Sequence, residues 1–114
     1  MNNEIIQALA DCISVCRSCS LDTWMKKEEL SNEEHECARM WNDCANICDT
    51  CMHFISRGSP YSTELLLMCA TICDDCAKEC SKHSDTICSK AAGACKKCCD
   101  ACKKCVSENP RKTA

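Results

Sequence analysis

Cysteines recur through this sequence at intervals of three and four residues. In the stretch of residues 69–80, four cysteines are separated by four, three and four positions. Side chains at these intervals lie on one face of an α-helix. Free thiols pack as small hydrophobic groups, and their thiolates are soft metal ligands. The stretch therefore predicts a helix that turns a row of sulfur atoms towards the protein interior.

The pattern C-x3-C-x2-C recurs in each of four segments with helical periodicity. One copy in each segment begins at Cys12, Cys44, Cys69 and Cys95. Four similar helices joined by short connections predict an all-α fold, an antiparallel four-helix bundle with a cysteine-lined core. A length of 114 residues suits one domain, so residues 1–114 are predicted to form a single four-helix-bundle domain whose tail, residues 107–114, frays.

Capping signals mark the ends of the predicted helices. The first helix is expected over residues 5–26. The second begins near residue 32, because Ser31 and Glu34 have the spacing of a capping box. The other boundary signals are Arg57-Gly58 at the end of the second helix, Pro60 near the start of the third, and Ser84 or Asp85 before the fourth.

Each predicted helix carries one stripe that faces the core. The four stripes are Ile5, Leu9, Cys12, Cys16, Cys19, Thr23 and Lys26; Cys37, Trp41, Cys44, Cys48, Cys51 and Ile55; Leu66, Cys69, Cys73, Cys76, Cys80 and His83; and Cys88, Ala92, Cys95, Cys99, Cys102 and Val106. Cys98 and Cys105 are placed in a row beside the fourth stripe. The interior is thus predicted to be lined mainly with thiols.

An antiparallel course gives the bundle two different ends. Apolar side chains are expected to close one end: Ile5, Leu9, Phe54, Ile55, Tyr61, Leu65, Leu66 and Val106. Softer and more polar side chains are expected at the other: Trp24, Met25, His35, Cys37, Met40, Cys80, His83 and Cys88. We predict that metal enters at this second end, since it is richer in donor atoms.

Composition narrows the classes of function. Leucine, isoleucine, valine and phenylalanine total only 16 residues against 17 cysteines, so cysteine must supply much of the core. Without an apparent export signal or membrane-spanning run, a cytoplasmic protein with reduced thiols is expected. The net charge of −3, with basic residues spread among acidic ones, argues against nucleic-acid binding. No catalytic triad, phosphate loop or acid–base pair is evident, and the chain is not expected to be an enzyme.

Thiolate donors on straight helices favour Cu(I) over Zn(II). Cu(I) accepts low coordination, whereas Zn(II) prefers four tetrahedral ligands and would need three or four helices to converge. One Cu(I) per thiolate leaves a neutral core, but Zn(II) with four thiolates leaves two buried negative charges at each site. Storage of many Cu(I) ions is therefore predicted. The main alternative is a Zn(II) or mixed-metal thiolate buffer of the metallothionein type.

Other interpretations of the cysteines fit less well. Inert core thiols would not fill four stripes, and a disulfide scaffold leaves one of an odd number of cysteines unpaired. An iron–sulfur protein commonly places its cysteines on loops, whereas these lie in helical patterns. A redox or interaction bundle with free thiols remains a third class of function. His83 is assigned to the stripe as a ligand or cap, and His53 to the surface.

The chain resembles the bacterial copper storage proteins, specifically their cytosolic branch. The resemblance rests on the segments 44–48 (CANIC), 59–61 (SPY), 69–76 (CATICDDC) and 79–83 (ECSKH), and on the final cysteine run from Cys95 to Cys105. It implies a four-helix bundle that binds many Cu(I) ions, homotetramer assembly, and a histidine near the opening at the position of His83. Copper ions, and copper chaperones or small-thiol copper carriers that deliver them, are the implied partners.

The predicted function is storage of Cu(I) that protects the cell from copper and holds it for copper enzymes. Ions are expected to enter near Cys37, Cys80, His83 and Cys88 and to move inward by exchange between thiolates. The predicted metal ligands are Cys12, Cys16, Cys19, Cys37, Cys44, Cys48, Cys51, Cys69, Cys73, Cys76, Cys80, Cys88, Cys95, Cys98, Cys99, Cys102, Cys105 and His83.

Overall fold

A computed structural model describes residues 3–26, 29–83 and 86–109, with only the backbone described for 24–26. These residues form four helices, and no β-strand occurs among them. The helices are α1 (Asn3–Lys26), α2 (Asn32–Ser56), α3 (Ser62–Ser81) and α4 (Thr86–Glu108). The all-α prediction is confirmed. None of the four helices, over the described residues, is both long and apolar enough to cross a membrane.

The helices run antiparallel around a closed ring in which α1 packs against α2 and α4, and α3 against α2 and α4. Lys104 Nζ near the end of α4 lies 3.1 Å from Glu4 Oε2 near the start of α1. At the other end, Cys19 Sγ lies 3.5 Å from the Ile87 carbonyl oxygen. The bundle measures 53 × 22 × 21 Å, so its core is one long narrow column.

Local contacts explain where the helices begin and end. The predicted capping box at α2 is confirmed: the Glu34 amide donates to Ser31 Oγ and the Ser31 amide donates to Glu34 Oε1, each at 3.1 Å. Gly58 ends α2 with φ 66°, a left-handed conformation that glycine adopts without steric cost. α3 starts at Ser62, two residues after Pro60.

The first and fourth helices differ slightly from the predicted bounds. α1 begins at Asn3 rather than at residue 5. α4 includes Ser107 and Glu108, so the start of the predicted tail is helical. The proposed caps Ser84 and Asp85, and residues 110–114 of the tail, lie outside the described residues.

Apolar side chains close the end where α1 and α3 begin. Ile5, Leu9, Ile55 and Leu66 are at most 3% exposed, and they define what we call the apolar plug. Tyr61 was predicted to join them, but its side chain is 57% exposed, because it lies in the connection just before α3 rather than on a core-facing stripe. The sulfur column therefore stops at this end.

Candidate metal centre

All seventeen cysteines lie in the core, and none is more than 6% exposed. Every one is a free thiol, and all fall within the described residues. The helical periodicity of the sequence places them there, since each helix turns one stripe inward. The prediction of a cysteine-lined core is confirmed, and the disulfide interpretation is excluded for this structure.

The sulfur atoms form a connected network along the bundle axis. Cys44 Sγ is its centre, at 3.5 Å from Cys12, 3.1 Å from Cys73 and 3.6 Å from Cys95. Cys95 continues towards the open end through Cys16 at 3.7 Å. Towards the apolar plug the remaining close pairs are Cys73–Cys69 at 3.8 Å, Cys69–Cys48 at 3.7 Å and Cys48–Cys98 at 3.7 Å. A soft cation bound to one thiolate thus always has another within reach.

Three groups of thiols have sulfur atoms that all lie within 4.8 Å of one another. They are Cys12, Cys48, Cys73 and Cys98; Cys12, Cys16, Cys44 and Cys95; and Cys69, Cys98 and Cys102. The first group draws one cysteine from each helix, which meets the geometric condition stated above for Zn(II). However, Cys12 and Cys98 each belong to two groups, so the groups form one shared cluster rather than separate tetrahedral sites. Thiolates that are shared between groups favour a cluster in which each sulfur atom bridges two or more Cu(I) ions.

Hydrogen bonding among the thiols makes them unequal acids. The pKa of Cys12 is lowered because its thiolate accepts hydrogen bonds from Cys16 and Cys44. The pKa of Cys16 is raised, chiefly by its hydrogen bond with Cys12, and burial raises it further. Hydrogen bonds with Cys12 and Cys16, together with burial, also raise the pKa of Cys95. The network therefore loses protons as a coupled set, and bound cations take the place of those protons.

The inward face of α4 differs from the predicted one. The prediction placed Ala92, Cys99 and Val106 on the stripe. Cys99 is buried as predicted, but the row that faces the core runs through Cys88, Ala91, Cys95, Cys98, Cys102 and Cys105. Ala92 and Val106 are only half-buried. Cys99 is fully buried, and burial is the main cause of its raised pKa. The charged groups that also change this pKa include Lys103 and Asp74. Cys98, rather than Cys99, joins the sulfur network.

The open end carries a group with mixed donor atoms. Cys37 Sγ, a Glu79 carboxylate oxygen and a His83 ring nitrogen lie within 4.8 Å of one another. The predicted neighbours Cys37 and His83 are thus brought together. Glu79 was missed, although its spacing of four residues from His83 would bring the two side chains together if the helical turn continued past Ser81. The side chains of Trp24 and Met25, also predicted here, lie outside the described residues.

Trp41 is buried in the core and hydrogen-bonds with a thiol of α3. Its indole is 2% exposed, and Nε1–H donates a hydrogen bond to Cys80 Sγ at 3.1 Å. Periodicity placed Trp41 on the core stripe, but it does not indicate this long-range bond. The neighbouring Cys76 thiol, followed by burial, raises the pKa of Cys80. Cys76 and Cys80 therefore lie on α3 between the sulfur network and the opening.

The fold and the donor set together define the class of protein. It is a four-helix bundle that binds soft metal ions through a shared cluster of reduced thiols along its axis. The family model of the copper storage proteins (Csp) matches residues 1–107. The chain belongs to this family, as the resemblance in its cysteine segments indicated.

Relatives from Bacillus subtilis agree with this assignment. The chain is 33% identical over 89 residues to the "uncharacterized cysteine-rich protein YhjQ" of strain 168, covering 78% of this chain and 81% of YhjQ. The solved "Cu(I)-bound copper storage protein BsCsp3" matches with a TM-score of 0.80 and 31% identity, over 88% of this chain and 92% of that one. The apo-Csp3 structure from the same organism matches with a TM-score of 0.79 and 32% identity, over 91% and 97% of the two chains.

Proposed function

We propose that this protein stores many Cu(I) ions in its core, with its seventeen cysteines and His83 as ligands. The observation that carries the proposal is the continuous network of buried thiols with shared members, in which Cys12 and Cys98 each serve two groups. Such sharing suits a soft monovalent cation that accepts two or three bridging thiolates. The Cu(I)-bound relative in the same family supports this choice of metal.

Charge balance sets the expected capacity. Seventeen buried thiolates carry seventeen negative charges, and a buried charge without a partner is very costly. About one Cu(I) per thiolate neutralises the column. Zn(II) in sites of four thiolates would leave two negative charges per site, and the lysines of α4 that could offset them, such as Lys96 and Lys104, are exposed and paired with acidic residues. The balance favours Cu(I) over the zinc-buffer alternative.

The proposed route of copper begins at the open end. Ions enter near Cys37, Cys80, His83 and Cys88 and move inward by exchange between thiolates. Each step along the network spans 3.1–4.0 Å between sulfur atoms, so one bond forms as another breaks. No bare ion crosses an apolar region, because the apolar plug lies beyond the last thiols.

The proposed setting is the cytoplasm, where thiols stay reduced, and the free state of all seventeen cysteines supports it. There the protein would protect against copper toxicity, hold copper for copper enzymes, and receive it from a chaperone or a small-thiol carrier. It is proposed to act by binding alone and not as an enzyme. We also propose a homotetramer, which exposed apolar side chains such as Leu67 and Met68 on α3 support. Light scattering coupled to gel filtration measures that state.

Anaerobic titration with Cu(I) tests the storage proposal. The reduced apo protein is expected to take up about as many ions as it has thiolates in competition with a Cu(I) chelator. Saturation at one or two ions per chain would contradict it. Parallel titrations against Zn(II) and its chelators separate the two metals, since the zinc-buffer alternative predicts stronger retention of Zn(II). Anomalous scattering from crystals soaked in Cu(I) then locates each ion among the predicted ligands.

A further inference from the structure

The open end holds the only close group of mixed donors in the described part of the chain. Cys37 Sγ, a Glu79 oxygen and a His83 nitrogen lie within 4.8 Å of one another, whereas the other three groups contain cysteine alone. Cys37 is 3% exposed, and the side chains of Glu79 and His83 are each 24% exposed. The group is therefore sheltered by protein but still in contact with solvent, so a water molecule can reach an ion bound there as a fourth ligand.

His83 has a nitrogen that the protein leaves unsatisfied. The Nε2 atom is buried and forms no hydrogen bond with any described residue. Leaving a buried polar atom unpaired costs about 1–3 kcal/mol. Its nearest acidic atom is Glu79 Oε1 at 3.9 Å, which is beyond hydrogen-bond distance. A cation placed between these two atoms would bind both.

Glu79 is held in a position that leaves one oxygen for such a cation. Its Oε2 accepts a hydrogen bond from Lys82 Nζ at 2.9 Å, while Oε1 is the oxygen closest to His83. Glu79 lies in the last turn of α3, His83 lies two residues after the end of that helix, and Cys37 comes from the start of α2. Two helices therefore bring the three donors together.

We propose that Cys37, Glu79 and His83 bind one Zn(II) ion, with water as the fourth ligand. A carboxylate is a hard donor that suits Cu(I) poorly, whereas sulfur, imidazole and carboxylate are all common ligands of Zn(II). One thiolate and one carboxylate neutralise a divalent ion, while Cu(I) would leave one negative charge that only the solvent-exposed Lys82 beside Glu79 could offset. Charge balance thus favours a divalent ion at the opening and monovalent ions in the core.

The distances in the group fit this coordination. Zinc bonds of about 2.0–2.3 Å place tetrahedral ligands about 3.3–3.8 Å apart. The distance of 3.9 Å between Glu79 Oε1 and His83 Nε2 is close to this range. Cys37 Sγ lies within 4.8 Å of both partners, so a side-chain movement of about 1 Å brings its distances into the range as well. Cys37 and His83 are also assigned above to copper entry, so Zn(II) and incoming Cu(I) compete for this group, while the other sixteen cysteines hold the store.

Zinc binding to the reduced, metal-free protein tests the proposal through its dependence on Glu79. The protein is titrated anaerobically with Zn(II) against a chromophoric chelator, and the sites are counted for wild type, E79Q and H83Q. Core thiols will also take up Zn(II), so the expected result is one site fewer, or one site weakened at least tenfold, in each variant. E36Q and H53A alter an exposed glutamate and an exposed histidine on α2 and should match wild type.

Zinc-edge X-ray absorption supplies the second measurement. Wild-type protein preloaded with a sub-saturating amount of Cu(I) receives one equivalent of Zn(II). The expected zinc shell has one sulfur at about 2.3 Å and nitrogen or oxygen at about 2.0–2.1 Å. A shell of sulfur alone, or equal zinc counts with equal affinities in wild type, E79Q and H83Q, would overturn the proposal. Because the absorption experiment uses wild type, it decides the question even where a variant fails to fold.

Discussion

Removing two thiols from the middle of the sulfur network should divide it. Among sulfur contacts of 4.0 Å or less in the described chain, every link from Cys16 and Cys95 to Cys73 passes through Cys44. Cys12 offers a second, longer link, since it lies within 4.8 Å of Cys73. The double variant C12A/C44A therefore removes both connections. The matched control C99A/C105A also removes two buried thiols, but neither belongs to the close sulfur groups.

The two double variants should cost the same stability and the same capacity. Each replacement deletes one buried sulfur, comparable to a methylene group, so each double variant should lose about 2 kcal/mol of unfolding free energy. Each also removes two negative charges from the loaded core, so both should bind about two fewer Cu(I) ions than wild type. Differences between them therefore report on position in the network rather than on thiol number.

Only the division of the network should slow copper uptake. An ion that crosses the gap must give up a thiolate bond before it forms the next one, and an added barrier of 1.4 kcal/mol or more slows a step at least about tenfold. Rapid mixing with Cu(I), followed by ultraviolet sulfur-to-copper charge-transfer absorption, measures the slow phase. C12A/C44A should lengthen this phase at least tenfold, and C99A/C105A should leave it unchanged. Equal rates in the two variants would refute stepwise thiolate exchange.

Three further outcomes follow from the packing. The reduced apo protein should show a helical circular dichroism spectrum without metal, because the four helices pack around neutral thiols; a coil spectrum would contradict the structure. Leu9→Ala in the apolar plug should cost about 2–5 kcal/mol with unchanged Cu(I) capacity, whereas Leu21→Ala, at a side chain 59% exposed, should cost under about 0.5 kcal/mol in denaturant titrations. Burial raises the pKa of Cys99 and Cys105. The stability that these two thiols add is therefore fully present below the unfolded thiol pKa of about 8.5 and is lost as pH rises through their folded pKa values. A free energy of unfolding of the apo protein that rises between about pH 8 and 10 would contradict this.

The sequence predicted the fold well because each helix repeats one strong pattern. Few other large apolar residues compete with the stripes of α1, α2 and α3, so periodicity identified every described stripe residue that is buried in α1 and α2. It missed small buried side chains beside the stripes, such as Ala38 and Ala45. The capping box at Ser31 was equally local. These features depend on residues close together in the chain, which a sequence displays directly.

The register of α4 could not be predicted in the same way. Cys98 and Cys99 are adjacent, and either can continue a row through Cys95 and Cys102, so the choice depends on how α4 rotates against its neighbours. The structure turns Cys98 towards Cys48 of α2 at 3.7 Å, which excludes Cys99 from the network. The bond from Trp41 to Cys80 likewise joins residues 39 positions apart. Such contacts are set by tertiary packing, and local periodicity does not contain them.

The apolar plug makes the column a dead-end store. With Ile5, Leu9, Ile55 and Leu66 blocking one end, copper would reach the deepest thiols only through those nearer the opening, and it would leave them by the same path. The protein would then hold two pools, a readily exchanged one near the opening and a reserve near the plug. A cell could draw on the first for routine supply while the second is surrendered only under prolonged scarcity.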